Sequence, residues 1–323
     1  MPADRQADGL VSVIIPSRNR RRELSECLQS IQQQDYRAVE TIVVDDCSTD
    51  DTVEFVRNEY PDVTVLQTDR QRQPAFVRNL GLRAARGEFV LFLDSDSELP
   101  RPDTIATMAR VLESDPELAA LGGEIKVHGP HQDVAYGRGI RFNGETCPVV
   151  APAEPPDRLV DCDYVATCNC FGRLEEMRRT GGFDPYFGFG GEDVDFVLRL
   201  VGDRRCVVSY QTAVLHKQSP RGRNPDETAR YHLTRVRRQL KNAPTSRWMV
   251  GLGWDILRCG LFYLLLVPKL LIKLLMRKEL RAENLTGGYL ILRAYARCLP
   301  ELGEIRASRT VDFLSDEQMA KFQ

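Results

Sequence analysis

Residues 89–99 read FVLFLDSDSEL, an apolar run that ends abruptly in acidic residues. The five apolar residues 89–93 are typical of a buried strand. Asp94, Asp96 and Glu98 follow at alternate positions, and serines separate them. Alternate residues of an extended chain point to the same side, so Asp94 and Asp96 are predicted to lie together at the tip of this strand.

The chain before this stretch alternates between strand-like and helix-like patterns. Residues 11–16 and 39–46 are rich in β-branched residues and predict two strands, and residues 22–33 between them repeat apolar side chains at helical spacing. A capping box at Ser48 and Asp51 predicts the start of a further helix. The alternation continues with a predicted strand at 63–66 and a predicted helix at 74–86.

This alternation predicts an α/β fold with a Rossmann-like, mostly parallel central sheet and helices on both faces. Ligands of such sheets bind beyond the carboxyl ends of the strands. Two acidic pairs, Asp45 with Asp46 and Asp94 with Asp96, follow predicted strands at such ends. The sequence therefore predicts a ligand site at this edge of the sheet.

The composition indicates which class of partner the protein binds and in which cellular compartment it lies. The 323 residues include 44 Lys and Arg and 46 Asp and Glu, a net charge of −2, which does not favour a nucleic-acid partner. The nine cysteines are odd in number and scattered through apolar segments, which is typical of reduced, buried thiols. Residues 1–10 lack the apolar segment of a signal peptide. We therefore expect a cytoplasmic protein without nucleic-acid partners.

Two carboxylates brought together at a strand tip repel each other unless a cation lies between them. Mg²⁺ and Mn²⁺ bind carboxylate oxygens and keep coordination positions for the oxygens of a diphosphate. Asp94 and Asp96 are therefore candidate ligands of a divalent cation. The alternative is that they form a loop or cap a helix before Pro100, because a single Asp-x-Asp pattern is common without a metal. Glu98 is interpreted as a solvated loop acid.

A second acidic pair lies in the later stretch GGFDPYFGFGGEDVDFVLRL, residues 181–200. Glycine-rich sequence precedes Glu192 and Asp193, and apolar residues follow at helical spacing. Both acids are thus predicted in the first turn of a helix, where the helix dipole favours carboxylates. They are either helix-capping acids or candidates for proton transfer.

Residues 244–323 predict a helical region of different character. Its longest charge-free run, at 259–268, is shorter than the roughly 20 residues of a membrane-spanning helix. Lys269, Lys273 and Arg277 recur every four residues and leucines occupy the opposite face, which favours a basic amphipathic helix on an anionic membrane surface. A helix packed on the rest of the protein and a tilted span are the alternatives.

Five segments of the sequence occur in an order that is typical of one enzyme family. They are VSVIIPSRNR (11–20), VVDDCSTDDT (43–52), PAFVRNLGLRAARGEFVLFLDSDSEL (74–99), GGFDPYFGFGGEDVDFVLRL (181–200) and AVLH (213–216). Together they resemble the inverting family 2 glycosyltransferases, which have the GT-A fold. The resemblance implies a GT-A catalytic domain over residues 1–243, a nucleotide-diphosphate sugar as donor, and Mn²⁺ or Mg²⁺. The amphipathic region 244–323 is then expected on the inner face of the cytoplasmic membrane.

The resemblance assigns the nucleoside to the ends of the first two predicted strands. Pro16, Ser17 and Arg18 match the family's residues after the first strand, and Asp45 and Asp46 match those after the second. Asp46 corresponds to the acid that reads the base. A carboxylate can accept a hydrogen bond from the imide N–H of a uracil-type base, which favours UDP or dTDP.

The same resemblance assigns the metal site and the loops around it. Asp96 matches the direct metal ligand, and Asp94 is expected to contact the sugar or ribose and to share the metal. His216 follows a strand-like segment and matches the histidine that completes the metal shell. Arg78 and Asn79 match the Arg-Asn pair that steadies the donor-side loops.

The acceptor side is assigned by the resemblance to Glu192 and Asp193. Asp193 is the expected base that deprotonates the acceptor hydroxyl, and Glu192 positions the acceptor. Pro244 stands where processive members carry the glutamine of QxxRW, so one sugar is expected to be added per encounter, to a lipid-linked or cell-surface glycan precursor. Cys47 stands where the family usually has glycine, so the turn after Asp46 is expected to differ in shape.

Two other functions fit parts of the sequence. A sugar-phosphate nucleotidyltransferase shares the sheet and the metal carboxylates, but it usually has a glycine-rich phosphate loop after the first strand, which PSRNRRREL lacks. A non-catalytic GT-A-like module at the membrane would bind a nucleotide sugar without turnover. The presence of Asp96, Asp193 and His216 counts against a decayed site.

Overall fold

The computed structural model describes residues 9–127, 138–141, 143–149, 159–188, 190–217, 227–275 and 286–322, the stretch 262–275 by its backbone alone. The chain forms two compact units. The first contains Met1–Gly139, Pro148–Arg223 and Asp312–Gln323, and the second contains Ile140–Cys147 and Asn224–Val311. The functional division into residues 1–243 and 244–323 stays a prediction.

Strands and helices alternate over the first half of the chain, as the sequence predicts. The strands are β1 (Val11–Ser17), β2 (Val39–Asp45), β3 (Thr64–Gln67), β4 (Phe89–Leu93), β5 (Ser97–Glu98), β6 (Leu118–Val127), β7 (Arg138–Ile140), β8 (Thr146–Pro148), β9 (Leu159–Asp161), β10 (Asn169–Arg173) and β11 (Arg205–His216). The helices are α1 (Arg21–Gln32), α2 (Thr52–Glu59), α3 (Pro74–Ala84), α4 (Thr104–Ser114), α5 (Leu174–Arg179), α6 (Glu192–Val201), α7 (Glu227–Asn242), α8 (Thr245–Leu275), α9 (Thr286–Cys298), α10 (Leu302–Ala307) and α11 (Asp316–Lys321).

The central sheet of the first unit is mostly parallel. Its strand order is β3-β2-β1-β4-β10-β6-β11-β5, and β9 pairs with β11. Strands β1 to β4 run parallel where they pair, and so do β6 and β11, whereas β10 is antiparallel to both β4 and β6. The predicted α/β architecture is therefore confirmed, with β10 inserted antiparallel in the middle and with β5 and β9 antiparallel to β11.

Helices cover both faces of β4, which explains why this strand is apolar throughout. Leu91 and Leu93 belong to one core with side chains of α1 and α4. Phe92 points to the other face, where its ring lies 5.2 Å from that of Phe183 and 5.9 Å from that of Phe196. Because strand side chains alternate between faces, a strand buried on both faces must be apolar at every position.

The carboxyl ends of β2, β1 and β4 lie side by side, because these strands are neighbours in the sheet. Ser17 at the end of β1 is in register with Asp45 at the end of β2. The acids that follow these strands therefore meet at one edge of the sheet, as predicted.

The second unit is helical. Side chains of α7, α8, α9 and α10 form its apolar core, which includes Val236, Trp248, Ile291 and Ile305. Among the described residues, no helix combines the length and the apolar character that crossing a membrane requires. The side chains of the predicted basic face, Lys269, Lys273 and Arg277, lie outside the described residues.

Candidate active site

The end of β2 supplies two carboxylates with different partners. Asp45 is fully buried and accepts hydrogen bonds from the backbone N–H of Ser48, at 2.9 Å, and from the Ser48 hydroxyl. The predicted capping box at Ser48 and Asp51 is therefore wrong. Ser48 closes the turn after Asp45, and Asp50 accepts from the backbone N–H of Thr52 at the start of α2 instead.

Asp46 faces the loop that follows β3. One of its oxygens, Oδ1, accepts from the backbone N–H of Arg72 at 2.6 Å and from the hydroxyl of Thr68 at 3.1 Å. Burial raises the pKa of Asp46, although these hydrogen bonds and the charge of Arg18 act in the opposite direction. Pro16 and Ser17 form the end of β1, and Arg18 is exposed just beyond it.

The turns after β1 and β2 are fastened together. The backbone N–H of Asn19 donates to the Ser48 hydroxyl at 2.9 Å, and the side-chain oxygen of Asn19 accepts from the backbone N–H of Thr49 at 2.7 Å. Asn19 and Cys47 adopt the left-handed conformation, with φ of 52° and 56°. Cys47 thus takes up the backbone conformation that glycine adopts most easily.

Asp94 and Asp96 lie in a tight turn, which the backbone N–H of Ser97 closes by donating to the Asp94 carbonyl at 3.0 Å. The predicted extended arrangement is therefore wrong, yet the two carboxylates still converge. His216 Nε2 lies 3.6 Å from Asp94 Oδ2 and 3.3 Å from Asp96 Oδ1. His216 reaches this position because it pairs with Ser97 across strands β11 and β5.

These three side chains fit a divalent cation. One ligand atom from each of Asp94, Asp96 and His216 lies within 4.8 Å of the others. Two carboxylate oxygens and one imidazole nitrogen form a donor set suited to Mn²⁺ or Mg²⁺. Burial lowers the pKa of His216, but hydrogen bonds and charges from both aspartates outweigh it and raise the pKa to about 9. A bound cation therefore has to displace a proton from this histidine.

Arg78 joins the metal-ligand candidates to the acceptor-side acids. Its guanidinium is buried, 2.9 Å from Glu192 Oε1 and 3.4 Å from Asp94 Oδ1. The other oxygen of Glu192 accepts from the backbone N–H of Gly190 at 2.8 Å. Burial and the charge of Asp193 raise the pKa of Glu192 to about 7 in spite of Arg78. Asp193 itself is half-buried in the first turn of α6, as predicted.

Asn79 holds the loop that leads to Glu192. Its side-chain amide donates to the carbonyl of Phe183 at 2.9 Å, and its oxygen accepts from the backbone N–H of Phe183 at 2.8 Å. Asn79 is fully buried, so it acts as a positioning residue for this loop, whereas the resemblance groups it with the donor-side loops. Arg199 also holds this loop, since it donates to the carbonyl of Gly182 at 2.6 Å and forms an ion pair with Asp195 of α6.

Glu98 is not the solvated loop acid that the sequence predicts. It lies in β5 and forms an ion pair with Lys217, its Oε1 being 2.5 Å from the Lys217 ammonium nitrogen. Lys217 also pairs with Glu26 on α1. The rest of the basic segment, residues 218–223, lies outside the described residues.

The structure thus brings five of the twelve predicted site residues into one run of contacts. The run passes from Asp96 and His216 through Asp94 and Arg78 to Glu192. Sequence reasoning missed Arg20, whose guanidinium is 2.9 Å from Asp96 Oδ1, and it also missed Arg72 and Arg199. Arg20 and Arg72 meet partners that are distant in sequence, which no local spacing could indicate, whereas Arg199 and Asp195 stand at the helical i, i+4 spacing.

A model of the family described as "Glycosyl transferase family 2" matches residues 12–137. This stretch of the chain is thus similar to glycosyltransferase family 2. The matched part contains both strand-end acidic pairs, and it ends before Glu192, Asp193 and His216.

Two relatives show how much of the chain is similar to known glycosyltransferases. An uncharacterized glycosyltransferase of Haemophilus influenzae is 28% identical over 199 residues, covering 59% of this chain and 62% of that protein. The GalNAc(5)-diNAcBac-PP-undecaprenol beta-1,3-glucosyltransferase of Campylobacter jejuni is 43% identical over 93 residues, covering 28% of this chain and 30% of that protein. The chain thus spans less than two thirds of either relative's length.

Solved structures confirm the fold. The crystal structure of GalNAc-T7 with UDP, GalNAc and Mn²⁺ matches with a TM-score of 0.58 at 17% identity, covering 72% of this chain and 47% of that one. At this level of identity the likeness shows the fold alone. The predicted GT-A fold is confirmed.

Proposed function

We propose that this protein transfers one sugar from a nucleotide-diphosphate sugar to a hydroxyl group of an acceptor, with inversion at the anomeric carbon. The observation that carries the proposal is that Arg78 contacts both Asp94 and Glu192. The guanidinium of Arg78 thereby lies between the candidate metal ligands and the first turn of α6, which carries the candidate base. Transfer between a donor and an acceptor requires such an adjacency.

Asp193 is the proposed base. Glu192 is buried and engaged by Arg78 and by the Gly190 N–H, whereas the Asp193 carboxylate is half-buried at the start of α6. Asp193 takes the proton of the acceptor hydroxyl as its oxygen attacks the anomeric carbon and the bond to the diphosphate breaks. Glu192 positions the acceptor and the turn.

Asp46 is the proposed reader of the base, next to Pro16, Ser17, Arg18 and Asp45. Its position at the carboxyl end of β2, beside the end of β1, supports this assignment. A divalent cation, Mn²⁺ or Mg²⁺, held by Asp94, Asp96 and His216 would supply positive charge to the departing diphosphate. UDP and dTDP remain the favoured nucleotides.

The test is the metal dependence of nucleotide binding. Thermal unfolding is measured with UDP, dTDP or GDP, each with and without Mn²⁺ or Mg²⁺, for the wild type, for Asp96→Ala, and for Glu59→Ala at an exposed position of α2. We expect UDP or dTDP to stabilise the wild type and Glu59→Ala only when metal is present, and Asp96→Ala not at all. A metal response that survives in Asp96→Ala would overturn the site. Binding without any turnover of nucleotide sugars would identify a non-catalytic module instead.

We further propose a lipid-linked or cell-surface glycan acceptor and a membrane-facing surface on α8. The name of the Campylobacter jejuni relative contains an undecaprenol-linked glycan, which supports this class of acceptor. One face of α8 exposes apolar side chains, each between 47% and 61% exposed: Met249, Val250, Trp254, Ile256, Leu257 and Leu261. Exposed apolar patches of this kind mark protein or membrane interaction sites.

The membrane surface is tested by co-sedimentation with vesicles. The double variant Val250→Gln/Leu257→Gln is compared with the wild type and with Leu292→Gln, a change at a partly exposed leucine of α9. We expect the double variant to bind phosphatidylglycerol vesicles about tenfold less, because two apolar side chains no longer enter the bilayer. Equal binding of all three proteins would exclude this face of α8.

A further inference from the structure

The segment 312–322, which we call the clasp segment, packs within the first unit next to the loops of the candidate site. Phe313 and Met319 are 2% exposed, and Arg83 of α3 pairs with Asp316 at 2.5 Å. A side chain at Gly182 would lie 2.8 Å from Leu314, so the glycine allows close approach. The clasp segment is therefore firmly seated on the catalytic unit.

Phe322 contacts two residues that belong to different loops, Arg72 and Tyr186. Its carbonyl oxygen accepts a hydrogen bond from Arg72 Nη1 at 2.9 Å. Its ring lies edge-on to the ring of Tyr186, with the centroids 5.2 Å apart. One residue of the clasp segment thus touches both the loop after β3 and the loop before α6.

The first contact leads to the nucleoside side. The backbone N–H of Arg72 is a hydrogen-bond donor to Asp46. The side chain of the same residue is buried, pairs with Asp69 at 2.5 Å and lies 5.3 Å from the ring centroid of Phe76. Fixing this side chain therefore fixes the backbone group that orients Asp46.

The second contact leads to the acceptor side. Tyr186 lies in a short 3-10 turn, Pro185–Phe187, and Gly188, Gly190 and Gly191 follow with φ of 70°, 95° and 89°. A methyl group added at Gly188 or Gly190 would meet nothing within 4 Å. Hydrogen bonds from Gly188 to the Pro185 carbonyl and from Gly190 to Glu192 hold the loop at these glycines, and the Tyr186 contact adds a constraint from outside the loop.

We propose that the clasp segment is a positioning element for both sides of the site. Phe322 joins the loop 68–73, which orients Asp46, to the loop 184–191, which leads to Glu192 and Asp193. Loss of the contacts that Phe322 makes increases the mobility of both loops and weakens nucleotide binding. The effect on nucleotide binding rests on the proposed function, whereas the joining of the two loops does not.

Hydrogen–deuterium exchange and UDP titration test this proposal together. Exchange of the peptides 68–73 and 184–191 is measured without ligand, and the dissociation constant of UDP is measured with Mn²⁺. The variants are Phe322→Ala, Phe322→Tyr, which keeps a ring, and Lys321→Ala, an exposed neighbour on α11. Phe322→Ala removes the ring but keeps the carbonyl oxygen that accepts from Arg72, so we expect about fivefold faster exchange in the peptide 184–191. The double variant Arg72→Met/Phe322→Ala loses both contacts, and we expect faster exchange in both peptides and an about tenfold weaker affinity for UDP. Phe322→Tyr and Lys321→Ala should match the wild type.

Two further measurements separate positioning from general destabilisation. Peptides from β4 should exchange at the wild-type rate in Phe322→Ala. Arg72→Met removes the hydrogen bond to Phe322 but keeps the backbone N–H that donates to Asp46, and it should also weaken UDP binding. Wild-type exchange and wild-type UDP affinity in both Phe322→Ala and Arg72→Met would overturn the proposal. A wild type that binds none of the nucleotides would overturn the proposed function, and the exchange data would still decide the role of the clasp segment.

Discussion

Two buried arginines, Arg78 in the first unit and Arg235 in the second, face carboxylates in different ways. Arg235 is fully buried and lies 2.7 Å from Asp255 Oδ2, which also accepts from the hydroxyl of Tyr295 at 3.0 Å. Its other nitrogen donates to the carbonyl of Asn143. One positive charge thus meets one negative charge, and neutral groups supply two further hydrogen bonds.

Arg78 instead lies among more negative charge than it can neutralise. It contacts Glu192 and Asp94, and Asp193 is close enough to raise the pKa of Glu192. These carboxylates raise the pKa of Arg78 itself, although its burial acts in the opposite direction. The balanced pair is what a structural core needs, whereas the excess of acid is what a site for a cation or a proton transfer needs. Charge balance therefore distinguishes the two regions.

The largest effect that this comparison predicts is on transfer by the acid-rich region. Asp193→Asn removes the proposed base and keeps the size of the side chain, so we expect sugar transfer to fall about a thousandfold, in the range typical of general bases. Nucleotide affinity and melting temperature should stay within error of the wild type. Turnover and UDP titration on the same preparation check this, and turnover at the wild-type rate would assign the base to another residue.

Breaking the balanced pair should instead affect folding. Asp255→Ala leaves Arg235 buried without its carboxylate, so we expect the free energy of unfolding to fall by about 3–4 kcal/mol. Replacing both residues, as Arg235→Met/Asp255→Leu, removes both charges and should cost much less. Urea unfolding of the two variants checks the difference. Equal losses would mean that packing, rather than charge pairing, dominates this core.

The fold could be predicted well from the sequence because continuous apolar runs and period-3.6 patterns report burial directly. The apolar run of β4 and the helical spacing in α1 are local signals, and both elements formed as expected. Asp94, Asp96 and His216 were assigned together through motif order, and the structure brings them within reach of one another. The sequence therefore predicts which segments form buried strands and helices, and the order of its motifs predicts which side chains share the candidate metal site.

The partners of the site residues could not be predicted in the same way. Arg78 meets Glu192 more than a hundred residues later, and Arg72 meets Phe322 near the other end of the chain. Such pairs depend on where two loops fold over the sheet, which no spacing encodes. Glu98 fits the same explanation, because only the pairing of β5 with β11 brings it to Lys217.

The pH dependence of stability sharpens the comparison further. The folded protein holds the proton of Glu192 up to about pH 7, whereas the unfolded chain releases it near the ordinary value of 4.5. Glu192 thus makes the free energy of unfolding fall as the pH rises through this window. In Glu192→Gln this decrease should be absent, and the variant should gain roughly 2 kcal/mol relative to the wild type between pH 5 and pH 8.

Urea unfolding at several pH values, without metal or nucleotide, measures this difference. Glu175→Gln is the matched control, because Glu175 is exposed on α5 and pairs with Arg179 at the surface. Its stability should follow the wild type at every pH. If the difference between Glu192→Gln and the wild type did not change with pH, the carboxyl would not hold its proton in the folded state.

The smallest predicted effect concerns backbone strain, in which the two regions also differ. The turn after Asp46 carries a non-glycine residue, Cys47, at a φ of 56°, whereas the second unit has Gly144 at a φ of 78° beside its balanced pair. A left-handed conformation costs a residue with a Cβ roughly 1–2 kcal/mol, and replacing Cys47 by glycine removes this cost. Part of the resulting gain in stability is offset, because glycine has greater conformational freedom in the unfolded chain. Cys47→Gly should therefore stabilise the protein by about 0.5–1 kcal/mol.

Gly144→Ala is the reciprocal change and should destabilise the protein by a similar or larger amount, because its new Cβ would also meet Gln239 at 3.2 Å. Urea unfolding decides both, and a loss of stability in Cys47→Gly would mean that the packing of the thiol outweighs the strain of the turn.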